Sequence, residues 1–293
     1  MRFSVVIPTF NELPRLLECL HGLEQQRYPR DQFEIVVVDD GSTDGTAESL
    51  RDFKRKTTLQ LTCLSQENRG PAAARNAGIA VAKGELIASL DSDCVPEPDW
   101  LAEFLKGFSE ERIAGVGGVC HLRPPTMVNR YLMHYRIFQP KVRQGRVVYI
   151  VTGNCCFRRN ALVEVGGFNE CIRKPGGEEP ELCHRLLTKG YELKFNPRCA
   201  VTATGSRTVA EFARTFYWYG RGLHDVARRC GGAFWTSKSL RLWRVVQVAA
   251  GPLTVGVMTM HLWLRGQPVR QALALSSLRY IHLLAYAIGY LRA

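Results

Sequence analysis

The sequence predicts an α/β protein with a doubly wound mixed sheet flanked by helices, followed by a hydrophobic C-terminal helical region. Three observations support this prediction. Short β-branched runs alternate with helical periodicity over the first 90 residues, polar residues cluster where the predicted strands end, and the chain becomes basic and apolar after residue 206. With 293 residues and 46% hydrophobic side chains, the chain has enough apolar material for a large core.

The first 90 residues follow a β-α-β-α-β-α-β pattern. Phe3–Pro8 and Phe33–Asp40 are apolar runs typical of strands buried on both faces, and Leu13–Gln26 between them has apolar residues at helical spacing. The remaining predictions are helices over Ala47–Lys56 and Gly70–Lys83 and strands over Gln60–Ser65 and Glu85–Leu90. Such sheets bind ligands beyond the carboxyl ends of their strands.

The middle of the chain has a mixed pattern. It predicts strands over Val116–His121, Val147–Val151 and Leu193–Phe195, and helices over Met127–Phe138 and Glu179–Lys189. We therefore predict one α/β domain over residues 1–206 and a separate helical region over residues 207–293.

The positive charge is concentrated in the C-terminal region. The net charge is +12, and from Arg207 onward there are twelve Lys and Arg residues against two acids. This region also contains Val245–Leu264, twenty residues without a charge, flanked on one side by Lys238, Arg241 and Arg244. Nucleic-acid binders rarely combine a basic patch with so long an apolar run, so the pattern excludes nucleic acid and favours a membrane surface.

The apolar segments allow more than one arrangement. Twenty helical residues reach roughly 30 Å, the thickness of a bilayer core, so Val245–Leu264 spans, re-enters or lies on the membrane. Gln271–Leu291 is interrupted by Arg279 and His282 and suits an interfacial helix better. The alternative is that both segments are core helices of a soluble domain.

The cysteines and the N-terminus favour a cytosolic location for the α/β domain. The ten cysteines form no CxxC pair and show no regular spacing, which favours reduced thiols over a zinc ribbon or a disulfide framework. The apolar stretch near Met1 is too short for a signal peptide. We expect the domain to lie at the cytoplasmic face of a membrane.

Two carboxylates, Asp91 and Asp93, follow the predicted strand Glu85–Leu90 in the stretch LDSDCVP. On an extended segment they point to the same side and offer oxygens to one Mg²⁺ or Mn²⁺, whose open positions suit a diphosphate. The alternative is a turn in which Asp91 is a cap and Asp93 is solvated. The position at a sheet end favours the cation site.

Three other polar clusters are candidates for the same site. Asp39 and Asp40 end a buried strand, where a carboxylate binds a nucleobase or ribose or caps a helix. Arg69 and Arg75 either face phosphates or form surface pairs, and their position in the sequence does not decide between the two. The third cluster, GGEEPELCHRL, places three acids in the first turn of a predicted helix. Either one of them serves as a general base, or all three are there because the helix dipole stabilises negative charge at this end.

Taken together, these motifs resemble family 2 of the glycosyltransferases, which have the GT-A fold. The order and spacing of SVVIPTFNE, VVVDDGSTDGT, NRGPAAARNAGI, LDSD, GNCCFRRNALVEVGGFNE and GEEPELCHRLLTKGYEL match that family over residues 4 to 195. The resemblance implies an inverting transfer of a sugar from a nucleotide diphosphate sugar. Residues 1–113 would bind this donor and residues 114–206 would form the acceptor half.

The resemblance also implies roles for individual residues. Glu179 matches the catalytic base. The family usually has Asp at this position, so either the helix start is displaced or Glu178 takes a larger share of the role. Asp91 and Asp93 match the metal and diphosphate motif, and Asn154 lies where the acceptor-side loop runs. The other matches are Pro8, Phe10 and Glu12 in the first nucleotide-binding loop, Asp40 at the nucleobase and Arg221, within FYWYGRG, at the diphosphate. With a nucleotide sugar as the implied donor, we also assign Arg75 to the donor site.

The sequence therefore predicts a metal-dependent inverting glycosyltransferase that acts on a lipid-linked or polysaccharide acceptor in envelope or exopolysaccharide synthesis. One departure concerns the metal: many relatives carry a histidine shortly before YGRG, and VTATGSRT has none. One alternative is a glycosyltransferase whose acceptor is a polyprenyl phosphate. Another is an inactive membrane-bound subunit that keeps the nucleotide crevice.

Overall fold

The computed structural model describes residues 1–205, 208–229 and 251–292. The chain divides into two compact units. The first comprises Met1–His121, Phe138–Arg173 and Glu178–Ala203, and the second comprises Leu122–Ile137, Lys174–Gly177 and the described part of Thr204–Ala293. Two short internal segments thus belong to the same unit as the C-terminal region, whereas the sequence predicted one boundary at residue 206.

An eight-stranded mixed sheet is the centre of the first unit. Its strands are Phe3–Thr9 (β1), Phe33–Asp39 (β2), Leu61–Ser65 (β3), Leu86–Leu90 (β4), Cys94–Pro96 (β5), Ile113–Leu122 (β6), Asn154–Arg158 (β9) and Glu192–Ala203 (β10), and Lys141–Arg143 (β7) and Arg146–Tyr149 (β8) form a separate hairpin. The strand order in the sheet is β3-β2-β1-β4-β9-β6-β10-β5. β1 pairs in parallel with β2 and β4, and β2 pairs in parallel with β3. β9 is antiparallel to both β4 and β6.

Helices flank the sheet, which confirms the predicted fold class. In the first unit they are Leu13–Glu24 (α1), Thr46–Lys56 (α2), Pro71–Val81 (α3), Trp100–Gly107 (α4), Arg159–Glu164 (α6) and Glu178–Thr188 (α7). Strand β2 is buried along its whole length, as expected for a strand covered on both faces. All seven elements predicted in the first 90 residues are present, with ends within two residues of the prediction.

The second half of the first unit differs more from the prediction. β10 runs from Glu192 to Ala203, well beyond the predicted Leu193–Phe195, because its C-terminal part pairs with β5. Strands β5 and β9 and helices α4 and α6 were not predicted. Each has at most eight residues, too few for a clear apolar period.

The second unit is helical in the part that the structure describes. It contains Met127–His134 (α5), Val209–Arg229 (α8), Gly251–Leu264 (α9) and Val269–Leu291 (α10). The predicted helix Met127–Phe138 therefore ends four residues earlier. Glycines bring α8 and α10 into close contact: a Cβ added to Gly220 would lie 2.1 Å from the carbonyl oxygen of Tyr286, and one on Gly289 would lie 1.9 Å from that of Tyr217.

Candidate active site

Polar loops that follow three parallel strands meet at one edge of the sheet. The pairing of β1 with β2 aligns Thr9 with Asp39 at their carboxyl ends, and β4 lies on the other side of β1. The next residues along the chain include Glu12, Asp40 and Asp91. This parallel topology therefore brings the predicted donor-site residues to the same edge.

The loop after β1 is fixed by the loop after β2. The Asn11 side-chain oxygen accepts a hydrogen bond from the Thr43 amide at 2.8 Å, and the Asn11 amide donates to the Ser42 hydroxyl at 2.9 Å. Phe10 remains 46% exposed, and Glu12 forms an ion pair with Arg15 at 2.9 Å. Pro8 is half-buried within β1. An exposed aromatic ring at a sheet end is compatible with stacking on a base.

Asp39 and Asp40 are both buried and have different partners. Asp39 accepts a hydrogen bond from the amide of Ser42 at 2.9 Å and so closes the turn after β2. Asp40 accepts hydrogen bonds from the Gln66 side chain and from the amides of Arg69 and Gly70, at 2.7, 2.9 and 2.8 Å. The carboxylate of Asp40 thus orders the loop before α3, and its contact with a nucleobase stays a prediction.

Asp91 and Asp93 stand in different electrostatic surroundings after β4. Asp91 Oδ1 accepts a hydrogen bond from Arg75 at 2.8 Å, whereas burial and the negative charges of Asp91 and Glu12 raise the pKa of Asp93 to about 6. Gly153 leaves room for Asp91, because a Cβ at that position would lie 2.6 Å from Asp91 Oδ2. Gly153 was not among the predicted site residues.

The donor set fits a divalent cation that is shared with a substrate. No group of three or more His, Cys, Asp or Glu side chains suited to a metal is found within residues 1–205, 208–229 and 251–292. Mg²⁺ is commonly held by one or two carboxylates, with phosphate oxygens and water completing its shell. A cation at Asp91 and Asp93 would also relieve the repulsion that raises the pKa of Asp93.

Arg75 is buried and not at the surface, so the alternative of a surface pair is wrong. Its side chain is 4% exposed, and it forms ion pairs with Asp91 at 2.8 Å and with Glu178 at 3.4 Å. The guanidinium also lies over the Phe168 ring, 5.7 Å from the ring centroid. The Ala-rich helix α3 carries Arg75 to this position. A contact of Arg75 with the nucleotide sugar stays a prediction.

The first turn of α7 places two adjacent glutamates in different environments. Glu178 is buried against Arg75. Glu179 is half-buried, and burial together with the negative charge of Glu178 raises its pKa to about 8. The hydroxyl of Thr152 donates a hydrogen bond to Glu179 Oε1 at 3.3 Å. A carboxylate with such a pKa is a stronger base than an ordinary glutamate, and it is mostly ionised and able to accept a proton above about pH 8.

The structure contradicts the predicted acceptor-side role of Asn154. This residue is buried on β9, where its side-chain oxygen accepts a hydrogen bond from the Trp100 indole at 2.8 Å. Its amide nitrogen donates to the carbonyl oxygens of Val119 and Cys199, both at 2.9 Å. These bonds use both amide protons to hold the sheet together, so Asn154 has a structural role. Thr152, two residues before Asn154 in the chain, donates a hydrogen bond to Glu179 and was not among the predicted site residues.

Arg221 belongs to the second unit, on helix α8. Its guanidinium carbon lies 5.7 Å from the centroid of the Trp218 ring, and the Lys174 ammonium lies 4.8 Å from the same centroid. Two cations therefore pack against one indole, a favourable arrangement for an aromatic face. The predicted contact of Arg221 with a diphosphate stays a prediction.

The C-terminal helices have apolar surfaces. In the described part of the chain, only α10 (Val269–Leu291) is long and apolar enough to cross a bilayer, which by itself is weak evidence for a membrane span. Of the predicted segment Val245–Leu264, the structure describes the helix from Gly251 onward, and residues 245–250 lie outside the described residues. From the sequence, Val245–Leu264 was predicted to have the length of a membrane span, and Gln271–Leu291 was predicted to be an interfacial helix.

Comparisons with known proteins agree with this geometry. A family model described as Glycosyl transferase family 2 matches residues 4–166, and one described as Glycosyl transferase family group 2 matches residues 86–291. Glycosyltransferase AglE from Haloferax volcanii is 33% identical over 223 residues, which are 75% of this chain and 72% of that protein. The poly(ribitol-phosphate) β-N-acetylglucosaminyltransferase TarS from Staphylococcus aureus is 39% identical over 93 residues, 32% of this chain and 16% of that protein.

Solved structures support the same fold. A mannosyltransferase from Pyrobaculum calidifontis, in complex with GDP-Man and Mn²⁺, has a TM-score of 0.69 at 24% identity, covering 99% of this chain and 87% of that one. TarS in complex with UDP has a TM-score of 0.55 at 21% identity, covering 99% and 90%. The family 2 model covers more than half of the chain, and the sheet order places the expected loops at one edge. The chain therefore belongs to glycosyl transferase family 2, and it is a glycosyltransferase with a GT-A-like fold.

Proposed function

We propose that this family 2 glycosyltransferase moves a sugar, with inversion, from a nucleotide diphosphate sugar to a lipid-linked or polysaccharide acceptor in envelope or exopolysaccharide synthesis. The observation that carries the proposal is the environment of Glu179. The pKa of its carboxyl group is raised to about 8, and this group accepts a hydrogen bond from the Thr152 hydroxyl. Its neighbour Glu178 forms an ion pair with Arg75, which also forms one with Asp91. The ion pairs of Arg75 thus connect Asp91, which we assign to donor binding, to the residue next to the base Glu179.

In this mechanism Glu179 accepts the proton of the acceptor hydroxyl while the hydroxyl oxygen attacks the anomeric carbon. The bond from that carbon to the diphosphate oxygen breaks, and the nucleoside diphosphate leaves with the bonding pair. Asp91 and Asp93 would hold a divalent cation, which offsets the negative charge of the departing diphosphate. In relatives of this fold, Mn²⁺ accompanies GDP-Man in the Pyrobaculum calidifontis enzyme, which supports a nucleotide diphosphate sugar as the donor.

The C-terminal helices support an acceptor located at a membrane. Leu253, Val257, Met260 and Leu264 recur at helical spacing on α9 and are all exposed. No Asp or Glu follows Asp225 in the sequence, so this part of the chain is uniformly basic. Exposed apolar side chains on α9, together with the Lys and Arg residues elsewhere in the same region, favour binding to an anionic lipid surface. We place the enzyme at the cytoplasmic face, where nucleotide sugars and reduced thiols are found together.

The test is a transfer assay with a panel of GDP- and UDP-sugars, using membrane lipid extract and oligosaccharides as acceptors. We expect one donor to give a product of inverted anomeric configuration with Mn²⁺ or Mg²⁺, and EDTA to abolish its formation. Asp93→Ala should remove the cation dependence of nucleotide binding, because one of the two carboxylates is lost. Circular dichroism of this variant should match that of the wild type.

Glu179→Gln separates the alternatives. If the acceptor is a hydroxyl, kcat should fall by about 10³-fold or more, since a neutral amide accepts no proton. Substantial activity of Glu179→Gln on a polyprenyl phosphate would favour that acceptor, which is already ionised and needs no base. Absence of transfer from every donor, with nucleotide binding intact, would favour an inactive binding subunit.

A further inference from the structure

The contacts of Arg75 join two segments that are far apart in sequence. Arg75 Nη2 lies 2.8 Å from Asp91 Oδ1, in the segment after β4, and Nη1 lies 3.4 Å from Glu178 Oε1, in the first turn of α7. The side chains of Arg75 and Glu178 are 4% and 3% exposed, whereas Asp91 keeps 41% of its side chain exposed. One guanidinium therefore connects an interior anchor to a residue that faces the site.

The chemistry of this bridge requires arginine. A guanidinium presents several N–H donors in a fixed plane and can bind two carboxylates at once, whereas a lysine ammonium is a point charge on a flexible stem. Breaking one side of a buried ion pair leaves an uncompensated charge in the interior. In the part of the chain that the structure describes, Arg75 Nε has no hydrogen-bond partner, so the two carboxylates are the contacts that hold the guanidinium.

Helix α3 holds Arg75 rigidly. Ala72, Ala73 and Ala74 are buried, and a Cβ at Gly78 would lie 2.5 Å from Val6 Cγ1, so the helix packs very closely against the sheet. The Arg75 guanidinium also rests on the ring of Phe168. A side chain with this packing has little freedom to follow a substrate.

We propose that Arg75 is a positioning residue that fixes Asp91 relative to the first turn of α7, and that Glu178 anchors this bridge and does not accept the acceptor proton. The inference rests on the proposed function, because it assigns donor binding to Asp91 and base catalysis to Glu179. The two adjacent glutamates then divide the work. Glu178 holds the helix start in place, and Glu179 stands one residue further on with its carboxyl group toward the site.

The bridge has a consequence for the kinetics. Chemistry requires the anomeric carbon and the base to stand at a fixed separation, and a displacement of about 1 Å costs on the order of 100-fold in rate. Donor affinity depends less on that separation. Loss of the bridge should therefore lower kcat much more than it raises KM for the donor.

The first test concerns the bridge itself and needs no substrate. Arg75→Met, Glu178→Gln and the double variant are unfolded with urea. Because both single changes break the same interaction, and Glu178→Gln removes the charge that Arg75→Met leaves uncompensated, the double variant should have a midpoint no lower than that of Arg75→Met alone. Midpoint shifts that simply add would overturn the bridge.

Arg158→Met is the matched control for this test. The Arg158 guanidinium also lies over a phenylalanine ring, with its central carbon 5.2 Å from the Phe108 ring centroid. Arg158 pairs with Leu86 at the opposite end of β4 and β9 from the site, and it donates hydrogen bonds to backbone carbonyl oxygens and not to a carboxylate. Its shift should add to that of Glu178→Gln.

The second test separates an anchor from a base. For Glu178→Gln we expect kcat to fall by about 10 to 100-fold with KM for the donor within twofold, and the acid limb of the pH profile to persist because Glu179 is intact. Glu179→Gln should remove that limb. Arg75→Lys should restore part of the kcat lost in Arg75→Met, since the ammonium reaches one carboxylate. A Glu178→Gln enzyme without the acid limb would overturn the proposal, and if no donor is turned over, the unfolding cycle still decides whether the bridge exists.

Discussion

Glu178 and Glu179 show how neighbouring residues of one type acquire different chemistry. Glu178 points into a buried ion pair with Arg75, where its charge is compensated. Glu179 meets the hydroxyl of Thr152 and lies close to the charge of Glu178, and burial raises its pKa to about 8. A separation of roles by environment is common where carboxyl groups carry out acid and base catalysis. The sequence marked both residues as candidates, and the structure distinguishes them.

The raised pKa of Glu179 predicts a pH dependence of activity. Below pH 8 the carboxyl group is mostly protonated and accepts no proton, so kcat/KM should rise with pH by up to about tenfold per unit and level off above pH 8. Initial rates measured from pH 5 to 9.5 at low donor concentration and saturating Mn²⁺ check this. A control with Glu179→Gln should give low rates without this limb. A profile without a rise between pH 6 and 8, as expected for a glutamate with its ordinary pKa of 4.5, would contradict the prediction.

The packing of strands around β6 sets a narrow tolerance for side chains. A Cβ at Gly118 would lie 1.9 Å from the carbonyl oxygen of Cys199 and 2.5 Å from the Asn154 amide nitrogen. Because backbone atoms cannot move aside as a flexible side chain does, Gly118→Ala should force β6 and β10 apart. It would also disturb the hydrogen bonds of Asn154 to Val119 and Cys199.

We expect Gly118→Ala to lower the free energy of unfolding by about 3 kcal/mol or more, since overpacking and loss of buried hydrogen bonds add. Thermal unfolding followed by circular dichroism measures this effect. Gly256→Ala on α9 is the control, because nothing lies within 4 Å of the added Cβ and alanine favours a helix. Equal melting temperatures for Gly118→Ala and the wild type would contradict the packing argument.

Prediction of elements succeeded where the pattern of side chains is long and regular. The seven elements before residue 90 have runs of apolar or β-branched residues that a local window detects. Strand β9 has five residues, Asn154–Arg158, whose character depends on β4 and β6 on either side. Such a strand is defined by its pairing partners, and pairing is not a local property.

At the scale of the whole molecule, the second unit presents an apolar surface on α9. We expect the full chain to sediment with vesicles that contain anionic lipid, and Val257→Glu with Met260→Glu to weaken this binding by about tenfold or more, because two exposed apolar side chains no longer enter the interface. The measurement is the bound fraction as a function of lipid concentration.

A matched control keeps this test specific. Val163 is also exposed, at 65%, but it lies on α6 in the first unit, and Val163→Glu should leave vesicle binding unchanged. Equal binding of the wild type and the double variant would show that the surface of α9 is not the lipid contact. Binding that persists in neutral vesicles and at high salt would show that basic residues contribute little.

The sequence by itself determined the fold class and most of the candidate site. Strand periodicity, turn residues and the order of polar clusters are local properties, and parallel strands place their carboxyl ends at one edge whatever the side chains do. Asp40, Asp91 and Asp93 could therefore be assigned to that edge from sequence alone, whereas Glu179 was assigned through the resemblance to the family. Arg75 could be assigned as a candidate, although its partners could not.

Only the tertiary structure decided the partners of these residues. In the structure Asn154 is buried and forms hydrogen bonds with one helix, α4, and two strands, β6 and β10. Arg75 is also buried, and its ion-pair partners Asp91 and Glu178 lie 16 and 103 positions away in the sequence. The structure also separated Glu178 from Glu179 and added Thr152 and Gly153 to the site. The physical reason is that burial and electrostatic partners arise from packing between distant segments, which no local pattern of residues specifies.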